Sequence, residues 1–424
     1  MKYHYDDRVM FVRNNGDMAC KVECEPRTRT FRKEHRMAKA FIIYASTASA
    51  DMHHLIAHDV HDPFMYIHTD GGANYVACST LESARMRDVP GVTVMPLESL
   101  GFDDFKAKEP DETTAELDCY AEALRQTGVT SALIPPTFPT QAADFLRARG
   151  VTLTVDEAFF SDARRCKTQS ELESIMRAQR AAEEATAYVS DALYRSDVAE
   201  DGGLILDDKP LTCEHLQYLV RLAYLKHGCD DGGTIVAHGP QTCIGHCAGF
   251  GQVYVGEPVT VDIDPRDLAR GCTTDMTRTF VKGEVNDELK FYYRLVKESY
   301  DRTLAAIRPG IATAELHRIS CQPMIEAGQP TQLTKKPGES LVEGYFHSLG
   351  HGVGLEVHEP PSLNQTPGEL VEGDVIAIEP GCYRQGFGGV RLESLVLVTK
   401  DGGKLLADYP YELTPQPLDA KYQD

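Results

Sequence analysis

Three histidines fall in FHSLGHGVGLEVHEPPSL, Phe346 to Leu363: His347, His351 and His358, spaced among glycines. Imidazoles in so irregular a stretch suit metal ligation or proton handling better than core packing. The zinc-protease pattern, H-E-x-x-H on one helical face, does not apply. His358-Glu359 runs into Pro360-Pro361 and position 362 is serine, so no helix continues there. Partners for these histidines must come from elsewhere in the chain.

Two strand pairs supply carboxylates. In GEPVTVDIDPRDLARGCTTDMTRTF, Val259, Val261 and Ile263 alternate with Thr260, Asp262 and Asp264, as in a half-buried strand. After Gly271 a second alternation sets Asp275, Thr277 and Thr279 against Met276, Arg278 and Phe280. Pairing Asp264 opposite Asp275 puts their Cβ atoms roughly 4.5–5.5 Å apart on one face. Carboxylates that close repel unless a cation or a shared proton lies between them. Alone, this pair reads as a solvated hairpin with its polar residues outward.

A second pair changes the weighing. EGDVIAIEPGCY is an apolar run ending in Glu379, stopped by Pro380-Gly381, and GGVRLESLVLVT returns with Arg391 and Glu393 on one face. A carboxylate at the end of a buried strand needs a partner. Asp264, Asp275, His351, Glu379 and Glu393 then make a five-ligand set, rich in oxygen with one imidazole. Such a set suits manganese and similar divalent ions over a thiolate zinc site. Four carboxylates can hold two ions about 3.5–4 Å apart with a water shared between them.

These segments need a scaffold. A chain of 424 residues exceeds one ordinary core, so two domains are expected. Residues 1–166 alternate strands (AFIIYAS, FMYIHTD, NYVACST, VTVMPL) with helices, an α/β domain. TTAELDCYAEALRQTG carries a capping box, Thr113 with Glu116, and stops at Gly128; TQAADFLRARG follows, capped by Thr140. Near Lys167 the texture changes. A long helix from about Ser170 to Tyr194, a loop from Ser196 to Pro210 and the helix CEHLQYLVRLAYLKHG lead into the carboxylate strands. Residues 167–424 are therefore the expected catalytic domain. In the first domain His54, His58 and His61 share one helical face, read as polar surface rather than a metal site.

The second domain resembles the pita-bread, M24-type metallopeptidases: Xaa-Pro aminopeptidases, prolidases and methionine aminopeptidases. The resemblance rests on Asp264 followed eleven residues later by Asp275 in GCTTDMTRTF, then HGVGLEVHEPP, IEPG and GGVRLES, in that order from about Lys167 to Leu413. The leading domain is similar to the creatinase/prolidase amino-terminal domain, which favours the proline-directed branch. The resemblance implies an α/β amino-terminal domain followed by an α+β pita-bread catalytic domain. It implies two divalent ions, manganese first with cobalt, zinc or iron compatible, on Asp264, Asp275, His351, Glu379 and Glu393. It also makes Glu379 the proton shuttle, His246 and His347 pocket residues, and His358 the contact to the scissile carbonyl. The expected substrate is a short peptide with proline second, and a homodimer is the expected assembly. Arg391, on the face of Glu393, either pairs with Asp262 or Glu379 or holds a substrate carboxylate by a bidentate contact.

Two departures stand out. The first ligand is followed by Pro265-Arg266 where the family has Asp-x-Gly, and Glu393 by Ser394 where it has aspartate. Asp262 is read as an outer acceptor for Arg266, and Cys243, Cys247, Cys272 and Cys382 as small buried thiols. The departures keep open a creatinase-like hydrolase or lyase on the same fold; a catalytically silent binding module is the third reading. A net charge of −21 disfavours nucleic acid. AFIIYASTASA is too short to span a bilayer. With no leader pattern at the start, the twelve cysteines read as free thiols of a reducing cytoplasm. The basic stretch Arg27 to Lys39 is read as a solvated or subunit-contacting helix.

Overall fold

The computed structural model describes residues 9–14, 17–22, 39–108, 111–419 and 422. Of the basic stretch only Lys39 lies among them. Val9–Asn14 and Asp17–Val22 form a two-stranded sheet. The chain divides into two compact units: Val22–Arg164, and Arg165–Asp424 with Met1–Lys21.

The Val22–Arg164 unit is built on β1 (Phe41–Ala45), β2 (Phe64–His68), β3 (Asn74–Cys78), β4 (Val92–Pro96), β5 (Ser131–Ile134) and β6 (Thr152–Val155), in the order β4-β3-β2-β1-β5-β6. Strands β1, β2 and β3 pair antiparallel and the outer pairings are parallel. The period-two alternation buries both faces. Ile42, Met65 and Ile67 enter one core, while Phe41, Ile43, Phe64 and Tyr66 enter the other. The helix expected from Thr113 runs Glu112–Thr127, capped by Asp111, which accepts from the Thr114 amide; Thr113 already lies inside its first turn. Gly128 ends it at φ 73. Thr140 is likewise the first residue of its helix, not the cap. The histidine face does not form, because the helix covers only Ala50–Leu55 and His58 and His61 lie beyond it.

The larger unit opens with α1 (Gln169–Arg195), started by a capping box between Thr168 and Glu171. The expected loop from Ser196 to Pro210 instead folds into three short strands, Asp197–Val198, Leu204–Leu206 and Lys209–Pro210. Leu204 and Leu206 drive this by entering the core with α1 and α2 (Cys213–Lys226). That core is shared with the antiparallel sheet β7 (Thr234–His238), β8 (Pro258–Ile263) and β9 (Met276–Val281), through Val236, Val261 and Met276.

A second helix pair, α3 (Asp287–Ala306) and α4 (Thr313–Glu326), packs on the strands that follow. These are β10 (Gly350–Gly352), β11 (Glu359–Leu363), β12 (Val375–Ile378), β13 (Gly381–Arg384), β14 (Gly388–Arg391), β15 (Ser394–Thr399) and β16 (Gly402–Leu405). Five of them form a sheet ordered β11-β10-β12-β15-β16; β13 and β14 form another with Glu343–Gly344. Two helix-on-sheet halves thus present their strand ends to the same region.

Candidate metal centre

Each carboxylate hairpin delivers its side chains where the pairing stops. β8 and β9 pair in the expected register, with Asp262 opposite Thr277 and Ile263 opposite Met276. The continuous ladder ends at Ile263, and the same register resumes with Arg266 opposite Thr273, so Asp264 faces Asp275 in the gap as expected. In the second hairpin, Ile378 faces Ser394 in one ladder and Gly381 faces Arg391 in the next. The register is the same on both sides, so Glu379 and Glu393 face each other in the gap between the ladders. The Glu393 amide donates to Thr277 O at 3.0 Å, which joins the two hairpins.

Three interlocking groups of potential ligand atoms result, each within 4.8 Å: Asp262, Asp275 and Glu393; His351, Glu379 and Glu393; and Asp275, His351 and His358. His351 Nε2 lies 3.5 Å from Asp275 Oδ2 and 3.8 Å from Glu379 Oε1. Four of the five expected ligands therefore come together. Asp264 is in none of the groups. Its amide donates to Gly233 O, one step further in the β7 register, and its carboxylate lies over Gly233, where a Cβ would stand 2.3 Å from Oδ1. Asp262 stands with Asp275 and Glu393 in its place. Nor does Asp262 serve Arg266, whose Nε donates to Gly271 O at 2.9 Å.

Arg391 takes the first of its two expected roles. Its Nη2 donates to Asp262 Oδ2 at 2.5 Å, its Nη1 to the Tyr383 hydroxyl at 3.0 Å and its Nε to Thr277 Oγ1 at 3.2 Å. Thr277 Oγ1 in turn lies 3.0 Å from Asp262 Oδ1 and 2.7 Å from Glu393 Oε2. Tyr383 and Thr277 went unrecognised in the sequence. Thr277 was signalled by its place opposite Asp262, whereas Tyr383 carries no local signal.

The three pocket histidines occupy different stations. His358 meets the His351 ring edge-on, centroids 4.1 Å apart, and remains exposed. His347 bonds the Tyr383 hydroxyl through Nε2 at 2.9 Å and sets Nδ1 3.7 Å from Glu379 Oε2. His246 is exposed and held at φ 60; burial, then the proximity of His246, lowers the pKa of His358. Burial also lowers His351 to about 4 and His347 to about 3, aided by the charges of His358 and Arg391 respectively. These imidazoles are neutral at ordinary pH, as ligation and hydrogen-bond acceptance require. Cys272 and Cys382 are buried, and burial pushes both thiols up to about 12. Cys243 and Cys247 are half-buried rather than buried.

Burial, then the repulsion of Glu393, holds Asp275 and Glu379 well above the carboxylate range. Burial, then Asp262, raises Glu393 to about 7. Glu393 Oε1 is buried with no hydrogen-bond partner. Converging oxygens that repel one another, one of them unpartnered, beside a neutral imidazole, fit hard or borderline divalent cations. The donor set accepts the metals that the sequence implied.

Residues 173–400, more than half of the chain, match metallopeptidase family M24. The chain is 36% identical over 201 residues to an Xaa-Pro dipeptidase of Pyrococcus horikoshii, covering 47% of this chain and 52% of that one. It is 31% identical over 254 residues to an Xaa-Pro dipeptidase of Pyrococcus furiosus, covering 59% and 66%. The matched segments thus span between half and two thirds of these relatives' length. The crystal structure of a prolidase from Pyrococcus horikoshii OT3 superposes with a TM-score of 0.70 at 24% identity, covering 92% of this chain and all of that one. An α/β amino-terminal domain precedes a catalytic domain of the pita-bread fold. The chain belongs to metallopeptidase family M24.

Proposed function

We propose that this protein is an Xaa-Pro peptidase that releases the residue preceding proline from the amino end of short peptides. The observation that carries the reading is the convergence of Asp262, Asp275, His351, Glu379 and Glu393, with Glu393 Oε1 buried and unpartnered. The names of the relatives support the substrate class. Asp262, Asp275, His351, Glu379 and Glu393 would hold two divalent ions, manganese in our reading, and Asp264 would not be a ligand. Bound there, such ions would lower the pKa of a water and polarise the scissile carbonyl.

The chain's own groups do the rest. Glu379, its oxygens aimed at His351 and His347, takes the water proton and delivers it to the proline nitrogen. His358, exposed beside His351, donates to the carbonyl oxygen as charge develops there. His246 and His347 line the substrate's path. Arg391 spends its guanidinium on Asp262, Thr277 and Tyr383, so it orients a ligand rather than binding substrate. Cleavage then does not require a free substrate carboxylate at Arg391, which favours an aminopeptidase over a strict dipeptidase. A homodimer in the cytoplasm completes the proposal; among the described residues no helix is long and apolar enough to cross a membrane.

The test compares Ala-Pro, Ala-Pro-Ala, acetyl-Ala-Pro-Ala and creatine with manganese-loaded protein. Cleavage of the two free-amino peptides is expected. Preferential turnover of creatine, or equal cleavage of the acetylated peptide, would refute the assignment.

A further inference from the structure

The geometry points to a buried ion pair, Lys167 with Glu359, as the device that positions His358; the proposal rests on the Xaa-Pro reading for what His358 does. Both side chains are only 2% exposed and bonded Nζ to Oε1. Burying two charges costs more hydration than their attraction returns unless the geometry is tight, so such a pair is a poor way to gain stability alone. It does fix where its two backbones lie.

Those backbones are informative. Glu359 follows His358 directly and opens β11, where it pairs with Gly352 on β10, next to His351. The pair fills the space beside Gly354, where a Cβ would stand 2.7 Å from Glu359 Oε1 and 2.8 Å from Lys167 Nζ. Gly354 O accepts from the Thr273 amide at 2.8 Å, two residues before Asp275. Lys167 sits just ahead of the Thr168 cap of α1, so its backbone is held by the capping box. Two residues earlier Arg165 donates to both oxygens of Asp374, at 2.9 and 2.6 Å, and Asp374 precedes the strand that leads to Glu379. One short segment ahead of α1 therefore grips the second half at two points, one beside His358 and one at the base of the Glu379 strand. Lys167 and Glu359 are positioning residues; neither is among the potential ligands.

The experiment uses the full chain. Lys167→Arg keeps the charge and lengthens the reach; Lys167→Met with Glu359→Gln removes both charges together, so neither is left buried alone. Each is measured for kcat and KM on Ala-Pro-Ala, for bound manganese and for melting temperature. Labelled-histidine NMR of the metal-free protein follows the His358 ring. The expected result is a loss in kcat of tenfold or more with KM and manganese content unchanged, and a broadened or split His358 resonance. In a His358→Ala background Lys167→Arg should cost nothing further. Wild-type kcat with a single sharp His358 resonance in both variants would overturn the proposal. So would an undiminished loss in the His358→Ala background, or a double variant that does not fold, since the pair would then act on stability. A protein that cleaves no Xaa-Pro peptide, yet whose His358 resonance broadens in Lys167→Arg, would fail the proposed function and leave the positioning role standing.

Discussion

Asp262 and Asp264 lie two residues apart on one alternating face, and the chemistry depends on which of them meets Asp275. In the sequence they are nearly equivalent, and the spacing to Asp275 favours the second. What separates them is what their carboxylates meet: Asp262 lies with Asp275 and Glu393 and is held by Arg391 and Thr277, whereas Asp264 lies over Gly233. The other four proposed ligands were legible because each is an ionisable residue bordering an apolar or glycine-containing run. Asp262→Asn should cut bound manganese below two ions per chain and lower kcat at least a hundredfold, while Asp264→Asn should keep both ions; atomic absorption checks this. Glu379→Gln should lower kcat by about 10³-fold, within the usual range for a lost general base. Circular dichroism should be unchanged. His358→Ala should reduce turnover while leaving manganese content intact, because its place is at the pocket.

Strands and helices were easier to read than their limits. The alternation of β1 to β4 and the long α1 pattern are strong local signals. The small sheet of Asp197–Pro210 is not, since runs of two or three residues are held by burial of Leu204 and Leu206 rather than by propensity. The glycines around His351 gain their meaning only from close strand approach. At Gly350 a Cβ would stand 2.0 Å from Ala377 O, and at Gly352 one would stand 2.3 Å from Pro360 O. Gly350→Ala should therefore push β10 from β12, destabilise the protein by about 2–4 kcal/mol and weaken manganese binding. A melting scan with and without metal reads both effects.

For the molecule as a whole, the cost of gathering these carboxylates falls on the metal-free fold. Burial and Asp262 raise Glu393 and Asp264 to about 7, from ordinary values of 4.5 and 3.8. A carboxyl raised in this way keeps its proton when folded and releases it when unfolded. Between about pH 4 and 7 these groups therefore remove stability from the metal-free protein as pH rises. The chelated protein should melt several degrees lower at pH 8 than at pH 5. Manganese should reverse that difference, adding about 2.7 kcal/mol at a hundredfold excess over its dissociation constant. The central claim, a two-ion centre that cleaves before proline, is tested most directly by titrating manganese into the chelated protein while following alanine release from Ala-Pro-Ala. Release should begin only as metal is added and should level off near two ions per chain. Full release from the chelated protein, or none at saturating manganese, would contradict it.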